Sequence, residues 1–157
     1  MATTTEDTAA TNAVRWSAAY TATAYHVFFP EGECVLRVGE RSAELEICLS
    51  RRKARRLAVI TAWNPGSKAQ STVENQGAQN RLRQTLLQAG VTYVEGENRA
   101  DAGDWPPEPS FGLCGVTVAE ASTIAGLFGQ NAYLTVAIGH PAELIWLPGN
   151  RDDGKNA

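Results

Sequence analysis

The run Val59-Ile60-Thr61-Ala62-Trp63, followed at once by Asn64-Pro65-Gly66-Ser67, constrains the fold more than any other stretch. Leu57 to Trp63 is apolar, carries the β-branched Val59, Ile60 and Thr61, and is too short for a typical helix. That combination predicts a central strand covered on both faces. The strand empties into a polar turn just before a well-marked helix. Strands that alternate with helices form layered α/β folds, and such folds place ligand chemistry where a strand ends and a helix begins. The stretch therefore locates a candidate site without identifying a reaction.

The helix after that turn carries the clearest signals. Ser71 and Glu74 match a capping box, Leu82, Leu86 and Ala89 recur along one stripe, and Gly90 is a natural C-terminal cap. Thr117 and Glu120 open a second such helix, whose apolar face is Ala121, Ile124, Ala125 and Phe128 and which Gly129 ends. A third starts at Ser42, buries Leu45, Cys48 and Leu49, and closes on Arg51, Arg52 and Lys53, cations suited to the negative helix end. Strands are predicted at Ala22 to Phe29 and Glu33 to Val38, joined through Pro30-Glu31-Gly32. Others are predicted at Val91 to Val94, Phe111 to Val116, Ala132 to Ile138 and Leu144 to Leu147, with a charged loop over Glu95 to Asp101. Helical crossovers make parallel pairs and short turns antiparallel ones. The expectation is thus a single α/β domain with a mixed parallel and antiparallel sheet of about six or seven strands and about three main helices. Residues 14–148 form that domain, and the polar segments 1–13 and 149–157 are read as disordered tails.

A chain of 157 residues buries one core without staples. Its net charge of -3 gives no general attraction to nucleic acid or an anionic membrane, so an anion site would have to be local. Cys34, Cys48 and Cys114 are odd in number, lack Cys-x-x-Cys spacing and lie in apolar segments, which reads as reduced core thiols and a cytoplasmic location. Met1 to Asn12 lacks the basic start and apolar stretch of a signal peptide, and no stretch is long and apolar enough to span a membrane. No cofactor motif is present. His26 and His140 have neither metal-ligand spacing nor a recognisable nucleophile beside them, so no metal is expected. The run Arg51-Arg52-Lys53-Ala54-Arg55-Arg56 lacks interleaved aromatics and reads as a solvated helix end rather than a nucleic-acid contact.

Asn75 is the most telling polar residue. Stepping back along the apolar stripe from Leu86 through Leu82 and Ala78 lands on it, so its amide faces the sheet and needs partners. Two roles are open: fixing the Asn64 to Ser67 turn, or holding a ligand together with Asn64 beyond the carboxyl end of the Leu57 to Trp63 strand, near Thr61. Ser67 and Lys68 precede the helix start, where unpaired N–H groups and the dipole attract phosphate or carboxylate, although Gly66-Ser67-Lys68 is not a nucleotide-triphosphate loop. Glu108 stands between Pro107 and Pro109, which hold its backbone extended; it is either a solvated loop residue or a fixed general base. Ser110 follows without a hydrolase elbow. Gln130 and Asn131 sit where a helix hands over to a strand.

Several blocks also occur in an order that resembles a known family: Tyr20 with Thr23 and Tyr25, Ile60 to Ser67, Glu74-Asn75, Trp105-x-x-Glu108-x-Ser110, and Phe128-Gly129-Gln130-Asn131-Ala132. They resemble the pattern of a bacterial domain-of-unknown-function family, number 3293, over residues 16 to 147. The resemblance implies a bacterial stand-alone domain and no established activity. After Asn75 that family often has a basic residue where this chain has Gly77-Ala78-Gln79. The residues together suggest a polar pocket for a small anionic or nucleotide-like ligand, with hydrolase or transferase chemistry at Glu108 as an open option. The alternative is a non-catalytic interaction module whose amides and Trp63 or Trp105 stabilise loops or meet a protein.

Overall fold

A computed structural model describes residues 5–148. The segment 149–157, read above as a tail, lies outside the described residues. Seven strands form one sheet: β1 (Thr23–Phe29), β2 (Gly32–Leu36), β3 (Arg56–Ile60), β4 (Thr92–Ala100), β5 (Glu108–Cys114), β6 (Ala132–Ala137) and β7 (Glu143–Trp146). Four α-helices accompany them: α1 (Thr5–Thr21), α2 (Ala43–Arg51), α3 (Thr72–Gln88) and α4 (Val118–Leu127). α1 runs through most of the segment read as an N-terminal tail.

The strand order is β2-β1-β4-β5-β3-β6-β7, and every adjacent pair is antiparallel. The expected parallel pairs and the count of three helices are therefore corrected. The reason lies in β4. The stretch read as a charged loop, Glu95 to Asp101, instead extends β4 to Ala100, and β5 then returns alongside it. This return inserts β5 between β4 and β3, so the α3 crossover ends two strands away from where it began. The α4 crossover likewise carries the chain over β3, and β6 pairs with β3 antiparallel. The two sheet edges also meet beyond their strands. Val38 bridges Ala142, the Gly39 N–H donates to Ala142 O at 2.8 Å, and the Ala142 N–H donates to Glu40 O at 2.9 Å, which curls the sheet.

Alternation along β3 divides the core into two layers, as the period of a strand requires. Leu57 and Val59 join the α2 residues Leu45, Cys48 and Leu49 with Tyr25, Val27 and Leu134. Ala58 and Ile60 join the α3 and α4 faces through Ala78, Leu82, Leu86, Ile124 and Ala125, with Phe111 and Leu113 from β5. The helix starts follow the sequence signals: Ser42 caps α2, and the capping boxes Ser71/Glu74 and Thr117/Glu120 form at α3 and α4. Gly90 and Gly129 follow α3 and α4 at φ values of 69° and 68°, conformations that a side chain would strain. Cys34, Cys48 and Cys114 are free and buried, and burial beside Cys48 pushes the Cys34 thiol up to about 12. α1 lies against β7. Its Tyr20 ring meets Trp146 edge-on at 5.3 Å, and Asn12 Nδ2 donates to Leu147 O at 2.7 Å. Among the described residues no helix is long and apolar enough to cross a membrane.

Candidate functional site

β3 ends at Ile60, and the chain turns through Thr61 to Lys68 before α3 begins. This turn is tightly wound: Asn64, Gly66 and Ser67 have φ values of 46°, 67° and 61°. Left-handed backbone at two non-glycine residues costs on the order of 1 kcal/mol each and persists only where surrounding bonds enforce it. Asn75 supplies many of them. Its Oδ1 accepts from the Asn64 N–H and from Gln70 Nε2, both at 2.8 Å, and its Nδ2 donates to Asn64 Oδ1 at 2.8 Å. Gln79, one turn further along α3, accepts from the Ala62 N–H at 2.9 Å and donates to Pro109 O at 3.2 Å. Thr61 Oγ1 donates to the same Pro109 oxygen at 2.6 Å. These bonds fasten the turn to the first residues of β5, where β3 has already ended and a proline is tolerated in the sheet.

Glu108 begins β5 opposite Asn98 of β4, and Asn98 in turn sits opposite Tyr25 of β1. The three therefore form a row across one face of the sheet. Asn64 Nδ2 donates to Glu108 Oε2 at 3.1 Å, and the indole Nε1 of Trp105 donates to the same oxygen at 2.6 Å. Burial pushes the Glu108 carboxyl above the usual carboxylate range, against the lowering effect of these two donors. Below the row, α1 contributes Trp16, Ala19 and Tyr20. Tyr20 Oη pairs with Ser67 Oγ at 2.9 Å, and Asn131 Nδ2 donates to Ser67 Oγ at 2.8 Å. The Tyr25 hydroxyl donates to Tyr20 O at 3.0 Å, and burial raises the pKa of both phenols.

These side chains line a partly open cavity of about 430 Å³ between α1 and the sheet. The wall is mostly apolar, with a few polar groups, which is the usual character of a small-molecule site. Of the residues singled out in the sequence, Thr61, Asn64, Ser67, Gln130 and Glu108 line it. Asn75 lies behind Asn64 and Asn131 behind Ser67, each almost wholly buried. Gln130 also reaches Trp63 O at 3.4 Å. Lys68 is exposed and does not line the cavity. Ser110 is fully buried beneath Gly96, where an added Cβ would stand 2.7 Å from its Oγ; it too is absent from the cavity wall.

The sequence matches a family model over slightly less than half of the chain. Residues 60–133 match the family described as Protein of unknown function (DUF3293). No curated protein and no solved structure matches the chain. The DUF3293 match runs from the end of β3 to the start of β6 and contains Asn64, Ser67, Asn75, Glu108, Gln130 and Asn131. The α1 residues Trp16, Ala19 and Tyr20 and the β1 residue Tyr25 lie outside the DUF3293 match yet complete the cavity. Sequence reasoning placed Tyr20 and Tyr25 in the family pattern but not in a site, and it did not select Gln79, Asn98 or Trp16. For Asn98 a signal was present: Glu95, Glu97 and Arg99 alternate with Gly96, Asn98 and Ala100, the period of a strand with one charged face.

At the turn read in the sequence as an anion site, several backbone donors are bonded within the protein. The Gly66 N–H goes to Gly129 O at 2.8 Å, the Ser67 N–H to Asn64 O at 2.9 Å, and the Gln70 N–H to Asn64 Oδ1 at 3.1 Å. The Lys68 and Ser71 N–H groups are likewise bonded, to Pro65 O at 3.3 Å and Glu74 Oε1 at 3.3 Å. The left-handed residues turn these donors back onto the protein. Similarly, the basic run after α2 is partly committed: Arg52 pairs with Glu31 at 2.7 Å over the Phe29 ring, and Arg56 donates to Thr135 Oγ1 at 3.0 Å.

Proposed function

We propose that the protein binds a small molecule in the cavity between α1 and the sheet, gripped by the Glu108 carboxyl. The observation that carries this reading is the placement of Glu108. It is a half-buried carboxyl without an ion-pair partner among the described residues, fixed by Trp105 and Asn64 at the wall of the cavity. Burying such a group is costly unless its environment, or a ligand, compensates it. A carboxyl whose pKa is raised in a cavity is also suited to general acid–base work, so hydrolase or transferase chemistry on the bound molecule is compatible with the same placement.

Three ring-bearing probes of different charge test the reading: benzylamine, benzyl alcohol and benzoate, titrated while the indole N–H resonance of Trp105 is followed by NMR. The expected result is a saturable shift with at least one probe, abolished by Ala19→Trp, which fills the cavity from the helix side. No shift with any probe, or a shift that survives Ala19→Trp, overturns the binding reading.

A further inference from the structure

Both donors that hold Glu108, Asn64 Nδ2 and Trp105 Nε1, converge on Oε2. Its other oxygen, Oε1, has no hydrogen-bond partner among the described residues and is not sealed off from solvent. Directly across the strand pair, Asn98 also lines the cavity, and its Oδ1 is a buried acceptor without a partner. Two acceptor oxygens of the wall, Glu108 Oε1 and Asn98 Oδ1, are thus without a partner among the described residues. No Lys, Arg or His lines it among the described residues. The second carboxylate at its rim, Asp101, is already neutralised by Arg37 at 2.8 Å, which leaves Glu108 as the uncompensated acid. The remaining lining is rich in rings: Trp63, Trp105, Tyr20 and Tyr25, with Trp16 already stacked under the Arg15 guanidinium at 5.1 Å. Aromatic faces attract cations, and a desolvated carboxylate attracts them more strongly still.

From this we infer that the ligand is a cationic amine with an apolar, ring-sized body, its ammonium seated on Glu108 Oε1 and its body among the tryptophan and tyrosine rings. The inference rests on the binding reading above and adds the ligand's charge and donor chemistry. An ammonium supplies three rotatable donors, enough to bond Oε1 and, after a turn of the Asn98 amide, its orphaned oxygen. An anion in the same place would meet the Glu108 charge with no cation to offset it. A neutral alcohol satisfies Oε1 but leaves the carboxylate without a counter-charge.

The test compares benzylamine with benzyl alcohol and benzoate near neutral pH, in the unmodified protein and in Glu108→Gln. Benzylamine is expected to bind at least about tenfold more tightly than benzyl alcohol, and benzoate least tightly. Glu108→Gln should remove that tenfold preference. A second measurement needs no variant. Benzylamine affinity in the unmodified protein should fall as pH drops through the Glu108 titration, because Tyr20 and Tyr25 stay protonated there and Asp101 stays paired with Arg37. Benzyl alcohol binding as tightly as benzylamine, or a pH-independent benzylamine affinity, overturns the amine inference and leaves the cavity a binding site. Failure of all three probes to bind overturns the binding reading and the inference with it.

Discussion

The amide cluster around Asn75 and the cavity wall around Glu108 share one side chain, Asn64, but differ in how their hydrogen bonds close. In the cluster, donors and acceptors pair among themselves: Asn75, Asn64, Gln70 and Gln79 bond to one another, to the turn backbone and to Pro109. At the wall, Glu108 Oε1 and Asn98 Oδ1 are left without partners among the described residues. A closed polar network rigidifies the part that contains it, whereas open acceptors beside a cavity keep capacity for something that is not the protein. Asn64 transmits between the two. Its backbone N–H and Oδ1 belong to the cluster, and its Nδ2 holds the carboxylate. The asparagines chosen in the sequence as ligand contacts thus divide by function: Asn75 builds the turn, and Asn64 presents one amide hydrogen to the acid.

The sharpest way to break this division is Asn75→Ala. It strands the buried Asn64 N–H and removes one of the two partners of Asn64 Oδ1, which keeps the Gln70 N–H; each loses a bond of 2.8 Å. A buried polar group left unpaired costs about 1–3 kcal/mol, so a loss of about 2–4 kcal/mol is expected in urea unfolding with little change in m. Benzylamine affinity per folded molecule should change far less than in Glu108→Gln. A stability loss under about 1 kcal/mol would mean that the network is not closed by Asn75.

How much of this was legible in the sequence follows the same division. The cluster sits on periodic elements, so Asn75 could be placed inward by counting back from Leu86, and the structure has it buried on that stripe with Ala78 and Leu82. The cavity wall depends on pairing, which periodicity within one segment does not report. Glu108 acquires its surroundings from Asn98 across the strand pair, and β4 was obscured because its charged residues resembled a loop. The antiparallel topology follows from that same strand, so one misread segment altered both the sheet and the site. α1 was harder still. Its Thr- and Ala-rich sequence has no apolar stripe, and the contacts that hold it, Tyr20 with Trp146 and Ser67, lie far away along the chain.

Ser110 sharpens the comparison from a different direction, because it is open yet does not face the cavity. Its Oγ is buried without a partner among the described residues, pressed beneath Gly96, where a side chain would also come within 2.6 Å of His26 O. An unpaired buried hydroxyl contributes nothing to stability, and removing it eliminates its desolvation cost. Ser110→Ala should therefore stabilise the fold by about 1 kcal/mol, with probe binding unchanged. Destabilisation in urea, or altered benzylamine affinity, would show that the hydroxyl serves the site and that the open set extends past the cavity wall.

The smallest expected effect concerns Glu108 in the absence of ligand, and its sign separates a carboxyl kept for binding from one kept for stability. Burial raises its folded pKa above the value in the unfolded chain, so across the window between the two the folded state holds the proton more firmly. The unfolded state binds fewer protons there, and stability falls as pH rises through that window. Glu108→Gln keeps an oxygen able to accept from Trp105 and Asn64 but carries no charge, so it should abolish this part of the pH dependence. The variant should match the unmodified protein at a pH below the unfolded carboxylate value and melt slightly higher at neutral pH, as read in thermal scans at both. Glu31, Glu46 and Asp101 are shifted downward by their arginine partners and lose stabilisation on acidification in both proteins alike, so the difference between the two curves isolates Glu108. Should Glu108→Gln melt lower at neutral pH, the ionised carboxylate is stabilising in the free protein. The cavity wall would then be a closed network after all, with no charge left for a ligand to satisfy.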